Sequence, residues 1–230
     1  MSDQTDTRFG AEPVQRQPIF NAPLLVVLMA VLLVVLHAVV TFSSDEVWRQ
    51  VMWDYAVFPA RFWAPAGTPE VYPDHLSGLL TLLSTALLHA DWMHVIVNSL
   101  MLLAFGTPVA RALGQDARGW GLWMLVFVGS VIGGSALYLA LSDVNSPYLV
   151  GASGGTSGLM AAAFLVDPWG GRRSLLAREF VLFSVVFALV NALLVVAGPY
   201  IFGAGISWEA HLGGYIVGAI LMSVIPLRAR

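Results

Sequence analysis

Val150-Gly151-Ala152-Ser153-Gly154-Gly155-Thr156-Ser157-Gly158-Leu159-Met160-Ala161-Ala162-Ala163 is the stretch that decides the fold. It is apolar enough for lipid yet made mostly of small residues, with Gly154 and Gly158 in Gly-xxx-Gly spacing and Ala162 extending the line. Small faces let helix backbones approach closely in a bilayer. The stretch therefore reads as the buried central helix of a membrane bundle, with two serines, Ser153 and Ser157, on one of its faces.

Composition carries the same message outward. The chain has 230 residues, 58% of them hydrophobic and 11% charged, with a mean hydropathy of +0.78. That is too little polar surface to cover a water-soluble globule of this size. With no cysteine, disulfides, thiolate metal sites and a cysteine nucleophile are excluded, and a net charge of −3 offers no basic stripe for nucleic acid. Chemistry must come from oxygen and imidazole.

A bilayer core needs roughly 20 apolar residues per helix. Six stretches qualify as candidate spans: Pro23 to Phe42, Thr85 to Phe105, Trp120 to Leu141, Val150 to Val166, Phe180 to Ala197 and Ile206 to Leu227. The expected fold is all-α, a polytopic six-helix membrane body over residues 23–227. A disordered tail at 1–22 precedes it and a short end at 228–230 follows. The first span follows an Arg-containing polar stretch too long for a signal-peptide n-region and reads as a retained helix. All eleven basic residues are arginines. Nine of them (8, 16, 111, 118, 172, 173, 178, 228 and 230) lie in the tails or in the second and fourth connections. By the positive-inside rule both termini are cytoplasmic. The plasma membrane of a prokaryotic-type cell is the expected location.

The first connection, about Ser43 to Ser84, is too long for a turn and is rich in Trp48, Trp53, Tyr55, Phe58, Phe62, Trp63 and Tyr72. Such amphipathic aromatics favour the headgroup layer. Its continuation Leu76 to Leu88 is apolar but broken by Ser77, Gly78, Thr81 and Ser84, which suits a segment partly sunk in the outer leaflet and packed on protein.

Three sets of residues carry chemistry. In the second span His94 and Asn98 are four apart and share a helix face, while His89, about 140° round from His94, is expected to face the first loop and fasten it. In the fourth, Ser153 is a candidate nucleophile, although both serines also fit as plain packing residues. In the sixth, His211, Gly214 and Gly218 stand at offsets of three and seven, near one face. If that face meets the fourth helix, imidazole and hydroxyl come within hydrogen-bond reach, as activation of serine requires. A lone membrane histidine is also compatible with a core residue or a proton path. No orienting carboxylate is evident, since Asp91 and Glu209 read as helix-boundary residues.

In that order, His89-x4-His94-x3-Asn98, Gly151-x-Ser153-Gly154 and Ala210-His211-x2-Gly214-x3-Gly218 resemble the rhomboid intramembrane serine proteases. The resemblance implies a six-helix rhomboid-like bundle with a partly embedded first loop and a dyad of Ser153 and His211. It implies His94, Asn98 and the Ser153 N–H around the oxyanion, with His89, Gly151, Gly154, Gly214 and Gly218 in support. The implied reaction is peptide-bond hydrolysis in or next to transmembrane segments of membrane-anchored substrates, near the non-cytoplasmic face, with no metal, nucleotide or other cofactor. The implied partners are transmembrane-helix substrates and the bilayer. No nucleic acid is implied, a monomer suffices for the dyad, and the oligomeric state is not read from the sequence.

Two departures from the family pattern set further expectations. Ser157 stands where many members carry a tyrosine or phenylalanine under the histidine, so His211 is expected to be less firmly held. The first loop lacks the Trp-Arg pair many bacterial members carry shortly before the second helix, which leaves its anchoring open. Water is expected to reach Ser153 through a depression above a short fourth helix. A substrate helix is expected to enter past the fifth span, where Gly198, Pro199, Gly203 and Gly205 are local helix breakers. A catalytically silent relative that binds transmembrane helices is the competing function. A histidine-lined transporter would need a continuous polar path, and the cytoplasmic halves of the spans show no row of ionisable groups for one.

Overall fold

The computed structural model describes residues 22–228 apart from 66, 69, 70, 168, 203 and 204. Residues 1–21 of the expected tail, residues 229 and 230, and the expected breaker Gly203 lie outside that set. Among the described residues the regular elements are all helices, accompanied by two isolated antiparallel bridges, Val57 to Leu149 and Val166 to Arg172.

All six expected spans contain a helix: α1 (Leu24–Thr41), α5 (Trp92–Leu113), α6 (Ala117–Leu141), α7 (Ser153–Leu165), α8 (Arg178–Phe202) and α9 (Trp208–Val224). Among the described residues α1, α5, α6 and α8 are long and apolar enough to cross a bilayer. At 13 and 17 residues, α7 and α9 are shorter. With a rise of about 1.5 Å per residue, α7 covers only about 20 Å of a roughly 30 Å core.

Two spans depart from their expected bounds by more than three residues. The second begins at Trp92, not Thr85, because the Asp91 carboxylate accepts the His94 N–H at 2.8 Å and caps the helix. It then runs on to Leu113 and stops at Gly114, whose φ of +106° ends the helix where an L side chain would be strained. The fifth continues through Gly198 and Pro199 to Phe202 instead of breaking. A proline forfeits one backbone hydrogen bond, and near the end of an apolar helix the remaining ladder holds.

Inside the long first connection lie α2 (Asp45–Tyr55), α3 (Pro59–Trp63), α4 (His75–Ser84) and a 3₁₀ turn at Thr85–Leu87. Ser44 caps α2 by accepting the Val47 N–H, and Asp74 caps α4 by accepting from the Ser77 N–H and hydroxyl. Gly78 and Thr81 of α4 are buried, while Leu76, Leu79, Leu80 and Leu83 stay exposed. That apolar outer face suits lipid. Arg61 anchors the connection although no Trp-Arg pair stands shortly before the second span. Its guanidinium lies 4.3 Å from the Trp53 ring centre and 3.8 Å from that of Tyr72, and it donates to the Trp53 carbonyl. The Tyr72 hydroxyl in turn donates to the Ala56 carbonyl at 3.2 Å.

The centre of the bundle is a three-helix contact of glycines. On α7, a side chain at Gly154 would meet the Ala210 carbonyl oxygen of α9 at 3.3 Å and the Ser130 carbonyl of α6 at 3.5 Å. On α9, a Cβ at Gly214 would fall 2.0 Å from the Gly154 carbonyl oxygen, and one at Gly218 would fall 2.3 Å from that of Gly158. Residue numbers rise together along α7 and α9, so these helices are parallel, with Ser153 and His211 near the same end. The α6 contribution, Gly133 and Gly134 against Gly213 and Ala210, was not singled out from the sequence. Leu159, Ala161, Ala162 and Leu165 are fully buried, which places α7 at the middle as expected.

At the opposite end two arginines close the helices. Arg173 donates to the carbonyls of Phe164 and Val166 at the end of α7, and Arg172 to those of Ser223 and Ile225 at the end of α9. Cations there satisfy orphan carbonyls and oppose the negative ends of two parallel helix dipoles.

Candidate active site

The chain enters α7 through an extended segment that the first connection holds from several sides. Leu149 exchanges backbone hydrogen bonds with Val57 at 3.2 and 2.8 Å, and the Thr85 hydroxyl donates to its carbonyl. The Gly151 N–H donates to the Thr85 carbonyl at 2.9 Å, and the Ala152 N–H to His89 Nε2 at 3.4 Å. Ser153 follows as the first residue of α7. Its backbone N–H has no carbonyl within the helix to pair with, and it sits at the positive end of the helix dipole.

Gly151 is required on two counts. Its φ of +117° is strained for an L residue, and a Cβ there would lie 2.6 Å from His94 Nε2 and 3.8 Å from Asn98 Nδ2. The expected shared face of His94 and Asn98 thus packs against the glycine two residues before Ser153. Asn98 is buried and gives one amide hydrogen to the His94 carbonyl at 3.0 Å, leaving its second N–H for another acceptor. His94 Nδ1 faces the Ala90 N–H at 3.5 Å, an arrangement that leaves the proton on Nε2, the nitrogen beside Gly151.

His89 does not face the first loop. Its side chain is buried, its ring centre lies 5.1 Å from that of His94, and it fastens the approach to α7. The helix-periodicity argument failed here because His89 precedes the Asp91 cap and is not on α5.

His211 and Ser153 are both half-buried at the shared end of α9 and α7. Among the described residues no hydrogen bond of 3.5 Å or less joins the Ser153 hydroxyl to the imidazole, so the juxtaposition is looser than the expected contact. In an enzyme without substrate such bonds are often long. Nor is the imidazole left loose by Ser157. His211 Nδ1 lies 2.7 Å from the side-chain oxygen of Asn191 on α8. Sequence reading missed Asn191, although an amide inside an apolar helix of 25 residues was a signal for it. Asp91 caps α5 and Glu209 lies in the first turn of α9, the boundary positions expected of both.

Residues 76–228 match the family profile described as Rhomboid domain, about two thirds of the chain. The chain belongs to the rhomboid family. This rhomboid is 31% identical over 164 residues to "RHOMBOID-like protein 12, mitochondrial" of Arabidopsis thaliana, covering 62% of the chain and 45% of that relative. It is 27% identical over 222 residues to "Rhomboid-related protein 2" of Mus musculus, covering 90% of the chain and 67% of the relative. Another similar protein is "Inactive rhomboid-related protein 2" of Caenorhabditis elegans, 27% identical over 153 residues, with 66% of the chain and 42% of the relative covered. The rhomboid thus spans less than half the length of the plant and worm relatives.

Proposed function

We propose that this rhomboid is an intramembrane serine endopeptidase that cuts membrane-anchored proteins in or near their transmembrane segments. The observation carrying this reading is the glycine contact between parallel α7 and α9, which brings Ser153 and His211 to one end of the central helix pair. His211 Nε2 takes the Ser153 hydroxyl proton as the oxygen attacks the scissile carbonyl carbon. The Asn98 amide, the His94 Nε2–H and the Ser153 backbone N–H stabilise the oxyanion. On collapse the departing amine receives the proton from His211, leaving an acyl-serine. Water, deprotonated by His211, then releases the acid and restores Ser153.

Short α7 supports a wet site below the membrane surface. Lateral entry of a substrate helix past α8 is supported by uneven packing. Phe180, Phe183 and Phe187 stack with Tyr215, and Ser184 bonds its hydroxyl at 2.7 Å, whereas between Asn191 and Tyr200 only Gly198 is buried. Arg111, Arg118, Arg172, Arg173, Arg178 and Arg228 all lie at the end opposite Ser153, which supports a cytoplasmic placement of that end and a site near the other face. A prokaryotic-type plasma membrane fits this orientation, and the plant relative's printed name makes mitochondria the location to test against it.

The worm relative's printed name says inactive, and a catalytically silent member that binds transmembrane helices is the competing function. A fluorophosphonate probe and a reporter transmembrane substrate, applied to the parent, Ser153→Ala, Ser157→Ala and His211→Ala, separate the two. Loss of labelling and cleavage in Ser153→Ala and His211→Ala, with Ser157→Ala active, is the expected result. Labelling that survives Ser153→Ala refutes the assignment, and a parent that neither labels nor cleaves favours the binder.

A further inference from the structure

The Asn191 to His211 contact resolves a question that the pair of Ser153 and His211 leaves open: which ring nitrogen carries the proton. Asn191 lies on α8, and its amide nitrogen donates to the Phe187 carbonyl at 2.9 Å. That bond fixes the orientation of the amide. The opposite orientation would set the side-chain oxygen against the Phe187 carbonyl oxygen and leave two repelling acceptors in contact. The oxygen therefore faces His211 Nδ1, 2.7 Å away. An amide oxygen can only accept, so Nδ1 holds the hydrogen and, in the neutral ring, the lone pair is on Nε2.

We propose that Asn191 is the positioning residue of the base, accepting from His211 Nδ1 and so reserving Nε2 for the Ser153 hydroxyl. The proposal rests on the reading of Ser153 and His211 as the hydrolytic pair. Asn191 touches neither nucleophile nor substrate in this scheme. It selects the tautomer and sets the ring plane, a task that a carboxylate performs in serine proteases with a third member. A neutral amide suits a site within lipid, where a buried carboxylate would have to be desolvated. The bond also replaces the support that an aromatic at position 157 would have given the ring.

A purely mechanical link between α8 and α9 is the plain alternative, and the structure contains its own control. Ser184, two helical turns before Asn191, bonds Tyr215, one turn beyond His211. Both pairs tie the same two helices, but only Asn191 touches the imidazole.

The test uses the full chain in detergent micelles or vesicles, with kcat and KM measured separately on the reporter transmembrane substrate. Asn191→Leu, which removes the acceptor, is expected to lower kcat about 10²-fold with KM nearly unchanged, the size of effect that a misdirected catalytic group produces. Asn191→Asp retains an acceptor oxygen and is expected to recover most of that loss. Ser184→Ala is expected to leave kcat within about 2-fold of the parent, far short of that 10²-fold effect. Histidine ¹⁵N spectra, with His211 assigned by its substitution, are expected to show a protonated Nδ1 in the parent.

A parent-like kcat in Asn191→Leu overturns the proposal, as does an equal kcat loss in Ser184→Ala or an unprotonated Nδ1 in the parent. If Asn191→Leu does not fold, Asn191→Asp and the parent spectrum still decide. Cleavage that persists in Ser153→Ala would instead sink the assignment of the hydrolytic pair. Cleavage that needs Ser153 while ignoring Asn191 sinks only the present proposal.

Discussion

Replacing Gly214 by alanine tests the contact on which the site depends. The added Cβ would sit 2.0 Å from the Gly154 carbonyl oxygen, 2.6 Å from its carbonyl carbon and 2.8 Å from its Cα. All three are backbone atoms of a buried helix, so no side chain can rotate away. Ordinary contact starts at 3.4 Å, and the shortfall to the oxygen is 3.4 − 2.0 = 1.4 Å. The two helices must part by about that much locally, or α9 must turn about its axis. Either response loosens the neighbouring contact of Gly218 with Gly158 and moves His211, three residues away, relative to Ser153. Overpacking of this kind costs about 1–3 kcal/mol. A displacement of about 1 Å at a catalytic group can lower the rate about 10²-fold. The comparison is Gly121→Ala on α6, where a Cβ meets nothing within 4 Å. Thermal unfolding in micelles, the fluorophosphonate labelling rate and cleavage of the reporter substrate should all fall for Gly214→Ala and stay level for Gly121→Ala. If Gly214→Ala keeps the parent's melting temperature and both rates, the close parallel contact is not what assembles the site.

Four further outcomes follow from the same geometry. Gly151→Ala forces an L residue to φ +117° and drives its Cβ onto His94, so labelling should drop while the helical content stays, at a strain of about 1–3 kcal/mol. Asn98→Ala removes an oxyanion donor and should lower kcat about 10²- to 10³-fold, less if His94 compensates, with KM little changed. Arg61→Ala should loosen the first connection by about 2 kcal/mol or more, since its guanidinium is buried between two rings, and limited proteolysis between α2 and α4 should accelerate. Arg61→Lys should rescue this only in part, as an ammonium cannot stack on both rings. Asp116 caps α6, and the Gly119 N–H it accepts, helped by Arg228 and Arg118, holds its carboxyl below the ordinary range. A depressed folded-state pKa contributes stability that is present above the unfolded value and lost as pH falls through the folded one. The melting temperature of Asp116→Ala should therefore lie below the parent's near neutrality, and the gap should close as the pH is taken below the carboxylate range.

Much of this was legible in the residues. Hydropathy found all six helical segments because a helix in lipid must be apolar along its whole length, and that requirement is local. Glycine spacing on α7 and α9 revealed a close contact because backbone approach tolerates few other residues. His94 and Asn98 were paired correctly by helix period, since both lie within α5. His89 was misplaced by the same rule because the Asp91 cap separates it from that helix. Arg61 between Trp53 and Tyr72 spans residues brought together only by the folding of α2, α3 and the segment after them.

The sequence by itself determined a helical membrane body, a serine and a histidine on two glycine-faced helices, and the absence of thiol chemistry. These follow from composition and from spacings within single helices, which a linear chain states directly. Only the tertiary structure decided that α7 and α9 lie side by side in close contact, that Gly133 and Gly134 of α6 close that contact, and that Asn191 reaches the imidazole. Those facts depend on which helix lies beside which and at what height, and such pairings result from packing the whole bundle, where no short stretch of residues specifies its neighbour.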